Sequence, residues 1–310
     1  MSDLVTINTD NYAAMAKAMG LSADVNENKK SNILNRFRIW HQPTMGKTNL
    51  DGKEITMEVV EGGKYRLEVV GDTSVYYFSD KVKFRPFVQR FMYKRYVRNP
   101  KPKAGDKKGH YEKTIMSDNL NEDLKDNVGT FNCGKPAGFV EDFKSLPVKT
   151  QDLIKSIKRN RIIFGIVDMV DPVKGIDGET VKDLPSFPVL WEIDNKEAYK
   201  TIGDLLNKFS KMERLPLQHI INLDGTDAHA TNNGTNYYTP KAKLDLTSTI
   251  DIAEDDHKLF SDFIDWIKVH NDNVISRWDE AVAKKQGDIS DEDMKTVDNF
   301  IDVDIESENV

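Results

Sequence analysis

Acids placed at the ends of apolar runs are the first residues in this chain whose types and spacing could do chemistry. Asp168 and Asp171 close the run RIIFGIVDMV, Glu192 and Asp194 close FPVLWEID, and Lys196 lies two residues further on. Carboxylates converging from neighbouring strands can hold two magnesium ions for phosphodiester cleavage, which makes a magnesium-dependent nuclease acting on DNA one reading. The blander reading is the stronger one, because Asp194 or Asn195 is also a natural N-cap for a following helix. A second constellation, GTFNCGK from Gly129 to Lys135, has the spacing of a phosphate-binding loop. That loop needs a hydroxyl after its lysine to reach magnesium, and a helix whose amides face the phosphates. Pro136 supplies neither hydroxyl nor amide proton, so a glycine-rich surface loop is expected. Cys133 is the only cysteine, which excludes an internal disulfide and a multi-cysteine zinc site. The histidines show no metal-ligand spacing and no hydrolytic triad signature, so no catalytic residue, metal or cofactor is assigned.

The strongest signal is basic and aromatic. From Lys81 to Lys113 there are twelve Lys or Arg residues against two acids, Asp106 and Glu112, in a chain whose formal net charge is -7. Phosphate backbones require several cations along a track, and unpaired bases require flat partners. Each base stacked on an aromatic ring contributes about 1–3 kcal/mol. Lys81, Lys83, Arg85, Arg90, Lys94, Arg95 and Arg98, followed by Lys101, Lys103, Lys107 and Lys108, are the expected phosphate contacts. Phe91, Tyr93 and Tyr96 are the expected stacking residues. The competing reading puts these aromatics in the core and leaves the charges to solvate the other face. Four tryptophans, Trp40, Trp191, Trp266 and Trp278, read as core residues, with Trp40 the one to watch because a β-segment there opens into HQPTMGK.

These residues need a scaffold, and the pattern supplies mostly strands. ILNRFRIW, ITMEVV, KYRLEVV and SVYYFS are short, rich in β-branched and aromatic residues, and separated by turns. The basic run continues the alternation and then passes into the loop RNPKPKAGDKKGH. Residues 114–147 read as irregular. Helices are expected at Val148–Lys158, at Lys196–Met212 with Ile202, Leu205, Leu206 and Phe209 on one face, and at Asp255–Lys285 with a break near Asn271–Asn273. RIIFGIVDMV, FPVLWEID, LPLQHIINL and NYYTPKAKLDLT read as strands, the last two parted by a loop, DGTDAHATNNG. The division is an N-terminal arm (1–32) with a short helix at Tyr12–Met19, a nucleic-acid-binding core (33–250), a helical segment (251–285) and an acidic flexible tail (286–310).

The tail carries nine acids against Lys295, so the remainder of the chain sits near +1. Acidity therefore belongs to the tail and not to the body. A tethered polyanion can occupy a cationic groove when nucleic acid is absent, or serve as a docking strip for partner proteins. No run approaches a membrane-spanning length, and no secretory leader is read at the N-terminus. The expected location is the cytoplasm, that of the host cell if the protein is viral.

A basic-aromatic β-core between an arm and an acidic tail resembles the helix-destabilising, single-stranded-DNA-binding proteins of T-even phages. The order RIIFGIVDMVDPVKGIDGE, FPVLWEID, KEAYKTIGDLLNKF and NYYTPKAKLDL is similar to the layout of that family's core. The resemblance implies an α+β fold, an elaborated OB-like antiparallel β-barrel with peripheral helices. It also implies cooperative coating of single strands during DNA replication, recombination and repair, with the arm (1–32) self-associating with a neighbouring protomer and the tail recruiting replication proteins. The family's zinc subdomain is built from Cys and His, which Cys133 alone cannot provide, so any insert within residues 95–147 must be held by packing. The expected function is sequence-independent binding of single-stranded DNA without catalysis; the alternatives are the nuclease and a viral structural or assembly protein.

Overall fold

The computed structural model describes residues 34–288, apart from 51–52, 72, 102–106, 232–233 and 235. The N-terminal arm, Lys103 and all but the first residues of the acidic tail lie outside the described residues. Alternation of apolar and charged residues writes the early strands: β1 (Asn35–Trp40), β2 (Thr44–Leu50), β3 (Lys53–Val60), β4 (Lys64–Val69) and β5 (Val75–Ser79). In β1, Phe37 and Ile39 are buried while Arg36 and Arg38 point the other way. The basic run becomes one long strand, β6 (Lys81–Arg98), turning back into β7 (Gly109–Lys113). Then follow the helix α1 (Val148–Ser156), β8 (Ile157–Val170), the two-residue β9 (Val173–Lys174), β10 (Phe187–Ile193), α2 (Lys196–Lys211), β11 (Ile220–Ala230), β12 (Asn236–Asp245) and α3 (Glu254–Asp288).

The architecture is α+β. Ten strands form one sheet in the order β12-β11-β6-β8-β10-β1-β4-β5-β9, with β7 paired to the far half of β6, and β2 and β3 form a separate two-stranded ribbon. Two features depart from an antiparallel barrel. The sheet is mixed, because β1 runs parallel to β10 in the register Arg36 to Leu190. The ladder also stays open, with β12 and β9 ending the path. The sheet nonetheless curls, and side chains reach across where no ladder does. Tyr65 Oη donates to the Gly225 carbonyl (2.8 Å) and Thr226 Oγ1 to the Gly63 carbonyl (2.7 Å).

One face of the sheet carries the main core. Phe37, Tyr65, Leu67, Phe84, Ile163, Val189 and Trp191 meet Ile202, Leu205, Leu206 and Phe209 of α2. That helix starts at Asn195, whose Oδ1 accepts from the amides of Glu197 (2.9 Å) and Ala198 (3.0 Å). The long helix α3 lies on the other face, where Phe263 packs on Phe87 and Phe164 and Trp266 packs on Phe164. Its anchor is ionic: Arg85 donates both terminal nitrogens to Asp256 (2.8 Å each) and its Nε to the Leu217 carbonyl. The expected break near Asn271–Asn273 does not occur. The Asn271 side-chain amide bonds both the N–H and the C=O of Met116 (2.8 and 2.9 Å), so it docks the helix on the irregular 114–147 segment instead of ending it.

Candidate nucleic-acid interface

Register decides which side chains share a face. Lys94 lies opposite Lys113 on β7 and opposite Lys158 on β8, and Tyr96 lies opposite Tyr111. Glu192 and Arg90 both lie opposite Ile162, and Arg36 pairs with Leu190 on β10 and with Glu68 on β4. Cross-strand partners point to one side of a sheet. Arg36, Arg38, Arg66, Lys94, Tyr96, Arg98, Tyr111, Lys113 and Lys158 therefore belong to the face opposite α2, the face on which α3 also packs.

At one end of that face stand three arginines with one acid. Glu68 takes Arg38 (3.1 Å) and Arg66 (3.5 Å), while Arg36 is exposed and has no carboxylate partner among the described residues. Arg66 is buried, with its guanidinium 3.8 Å from the Trp40 ring centre and 4.8 Å from that of Tyr76; Arg38 lies 5.6 Å from the same indole. Burial and the neighbouring Arg38 pull the Arg66 pKa down to about 10. The Nε atoms of Arg38 and Arg66 and the Trp40 indole nitrogen are buried without a hydrogen-bond partner. Unmatched buried polar groups raise the free energy of a fold and are few in folded proteins.

The other end is built from the β6–β7 hairpin. Tyr96 and Tyr111, both exposed, pack with ring centres 4.9 Å apart, and Lys94 Nζ sits 4.4 Å from the Tyr111 ring centre while bonding Glu192 (2.6 Å). Lys113 is half-buried beside Lys94 and Arg277 of α3, and burial together with those cations lowers its pKa. Beyond them Arg98, Lys101, Lys107 and Lys108 are exposed without carboxylate partners among the described residues. Lys83 is exposed in the same way at the start of β6, and Lys81 faces Asp224 at 3.5 Å with both side chains open to water. Arg90 reaches the exposed Asp118 (2.9 Å).

Four expected contacts turn out to be internal. Arg85 is the clamp on Asp256 described above. Arg95 pairs with the buried Glu112, directly opposite it. Tyr93 is 2% exposed, packs with Leu124, Cys133 and Ile157, and donates its hydroxyl to the Leu120 carbonyl, so it has no face to offer a base. Phe91 lies on the α2 side, where the buried Arg161 sits over its ring (5.0 Å) and over that of Tyr199 (4.4 Å). Gly203 makes room for that arginine, since a Cβ there would clash with Arg161 Nη2. The parity of one strand explains the last three of these corrections, because Phe91, Tyr93 and Arg95 alternate with Lys94, Tyr96 and Arg98, while Arg85 is taken up by α3.

The two catalytic constellations do not assemble. Asp168 lies opposite Lys83, whereas Glu192 lies opposite Ile162, six residues back along β8 and so about 20 Å away at ~3.3 Å per residue. Glu192 is bonded by Lys94 and Asn160, and Asp194 by Lys158 (2.7 Å). Among the described residues no three His, Cys, Asp or Glu side chains group to hold a metal ion. In the 129–135 loop the amides that would face a phosphate are already occupied. Asp126 accepts from the N–H groups of Val128 and Thr130 (2.9 Å each) and Cys133 (3.0 Å).

The arginine–tryptophan end was not singled out by composition, because Arg36, Arg38, Trp40 and Arg66 are spread over 31 positions with acids between them. Its trace is the alternation in NRFRIW and KYRLEVV, which puts arginines on a face that one glutamate cannot neutralise. No helix among the described residues is long and apolar enough to cross a membrane. No protein-family model, curated protein or solved structure matches the chain.

Proposed function

We propose that the protein binds single-stranded DNA, largely without regard to sequence, and coats it during replication, recombination and repair of the kind phages carry out. The observation that carries this reading is the uncompensated positive charge on one sheet face, interleaved with ring systems. Arg38 and Arg66 share Glu68 beside Trp40 and Tyr76, with Arg36 next to them unpaired among the described residues; Lys94 takes Glu192 beside Tyr111 and Tyr96, with Lys113 and Arg277 close by. Cations along a track neutralise phosphates, and ring faces stack on unpaired bases regardless of base identity. The strongly curled sheet is consistent with an OB-like core whose closure is left to side chains. In this reading the acidic tail (286–310) competes with the strand for the face and docks partner proteins, and the arm (1–32) contacts a neighbouring protomer. No chemistry is assigned to the chain itself.

Fluorescence anisotropy with labelled oligo-dT and a matched duplex, at two salt concentrations, tests the reading. The expected result is preference for the single strand and a steep loss of affinity with salt, about 0.7 in the log–log slope per phosphate neutralised. Equal affinity for duplex, or affinity that ignores salt, would overturn it.

A further inference from the structure

A cavity of about 230 Å³ opens between β7 and α3, lined by Lys113, His270, Asn273, Val274 and Arg277. Two cations, an amide and an imidazole converge on it, and no carboxylate is among the lining residues. The His270 ring stacks on Trp266 (centres 5.6 Å apart), and its Nε2 is buried with no hydrogen-bond partner. The volume is far above the 10–15 Å³ that a single water needs, so the site has room for a polyatomic guest. Its chemistry selects the sign and shape of that guest: a tetrahedral oxyanion can accept from Lys113, Arg277 and the second amide proton of Asn273, whose nitrogen also donates to the Val269 carbonyl (2.8 Å).

We propose that this pocket seats one phosphate group of a bound strand, and that the seated phosphate favours the protonated His270 ring, which donates to it from Nε2. The proposal rests on the single-strand reading above and adds to it a fixed anchor point under α3. Lys113 on β7 is the charge that acts on the imidazole, and Arg277 of the same helix lines the pocket beside it; Lys113 in turn feels Arg277, Lys94 on β6, Arg36 on β1 and one acid, Glu192 on β10. Without an anion, burial, with Lys113 second, holds the His270 pKa down to about 4 and the ring is neutral at neutral pH. A phosphate reverses both conditions. Its charge offsets Lys113 and Arg277, and its oxygen gives the orphaned Nε2 an acceptor.

The test is NMR titration of the His270 Cε1 proton against pH with inorganic phosphate, with sulfate as a dianion that does not titrate in this range, and with chloride at matched ionic strength. Either oxyanion should raise the apparent pKa of His270 by about one unit or more, a tenfold preference for the protonated ring, while chloride should not. Lys113→Gln and Arg277→Gln should each diminish the rise, and oligo-dT should reproduce it. If oligo-dT binds tightly but leaves His270 unmoved, the pocket assignment fails while the strand reading stands. If phosphate moves His270 but oligo-dT does not bind, the pocket takes free phosphate and the link to a strand is refuted. If nothing moves His270, the pocket binds no oxyanion.

Discussion

Replacing two exposed arginines at opposite ends of the polar face tests whether a strand runs along it. Arg36 and Arg98 are exposed and have no carboxylate partner among the described residues, so each is free to neutralise one phosphate. With two contacts removed in Arg36→Gln/Arg98→Gln, the log–log salt slope for a single strand should fall by about 1.4, from ~0.7 per phosphate. Over a fourfold change in salt, from about 50 to 200 mM, the double variant should therefore lose about sevenfold less affinity than the parent. Stability should not suffer, because exposed substitutions usually change it by less than about 0.5 kcal/mol. Removing Arg36 also relieves repulsion on Arg66, whose pKa it depresses. Anisotropy with labelled oligo-dT across that salt range, alongside a thermal melt, gives both numbers. An unchanged slope with unchanged stability would mean that the strand does not follow this face, whatever else the protein binds.

Breaking the clamp between Arg85 and Asp256 by Asp256→Ala should destabilise the protein by about 3 kcal/mol, since it strands a desolvated guanidinium. Oligo-dT affinity should stay near that of the parent, and urea melts beside anisotropy check both. Cys133, 1% exposed and with its thiol pKa pushed well up by burial and then by Asp126, should ignore a thiol reagent in the native state and react only on unfolding. His270 titrates near 4 when folded against 6.5 when unfolded, so the unfolded chain binds the extra proton between those values. Stability should therefore be complete above about pH 6.5 and fall as pH drops towards 4, by up to about 3 kcal/mol, and His270→Gln should flatten that segment of the profile. Deleting residues 286–310 should tighten oligo-dT binding at low salt; unchanged affinity would leave the tail as a docking strip only.

The sheet was readable wherever one face is wet and the other dry. Phe37 and Ile39 against Arg36 and Arg38, or the apolar stripe of α2, announce their own geometry. Boundaries slipped where a chemical signal had two uses. Ile157 and Lys158 extend the helical pattern of α1 but open β8, because Ile157 fills the cluster under Tyr93. DGTDAHA reads as loop yet continues β11 through a bulge, with Gly225 at φ 76° carrying the irregular step. In the candidate site, charge density singled out β6 and could not say which of its side chains share a face. Parity is what separates Lys94, Tyr96 and Arg98 from Phe91, Tyr93 and Arg95, and parity needs a register. The Arg66–Trp40 contact and the His270 pocket depend on pairings between segments far apart in the chain, which no local pattern encodes.

The placement of β6 has a consequence for how the molecule is made. Its first residues pair with β11, Lys83 against Asn222, and nearly its whole length pairs with β8. A ribosome releases β6 long before either neighbour exists, and non-local pairings of this kind form slowly. During that interval a nascent strand bearing Phe84, Phe91 and Tyr93 beside its lysines and arginines is unshielded. Its apolar half invites aggregation, and its charged half is attractive to the polyanions of the translation machinery itself. The folded protein keeps these two surfaces back to back on one strand, so completing the sheet withdraws the first and presents the second in the same event.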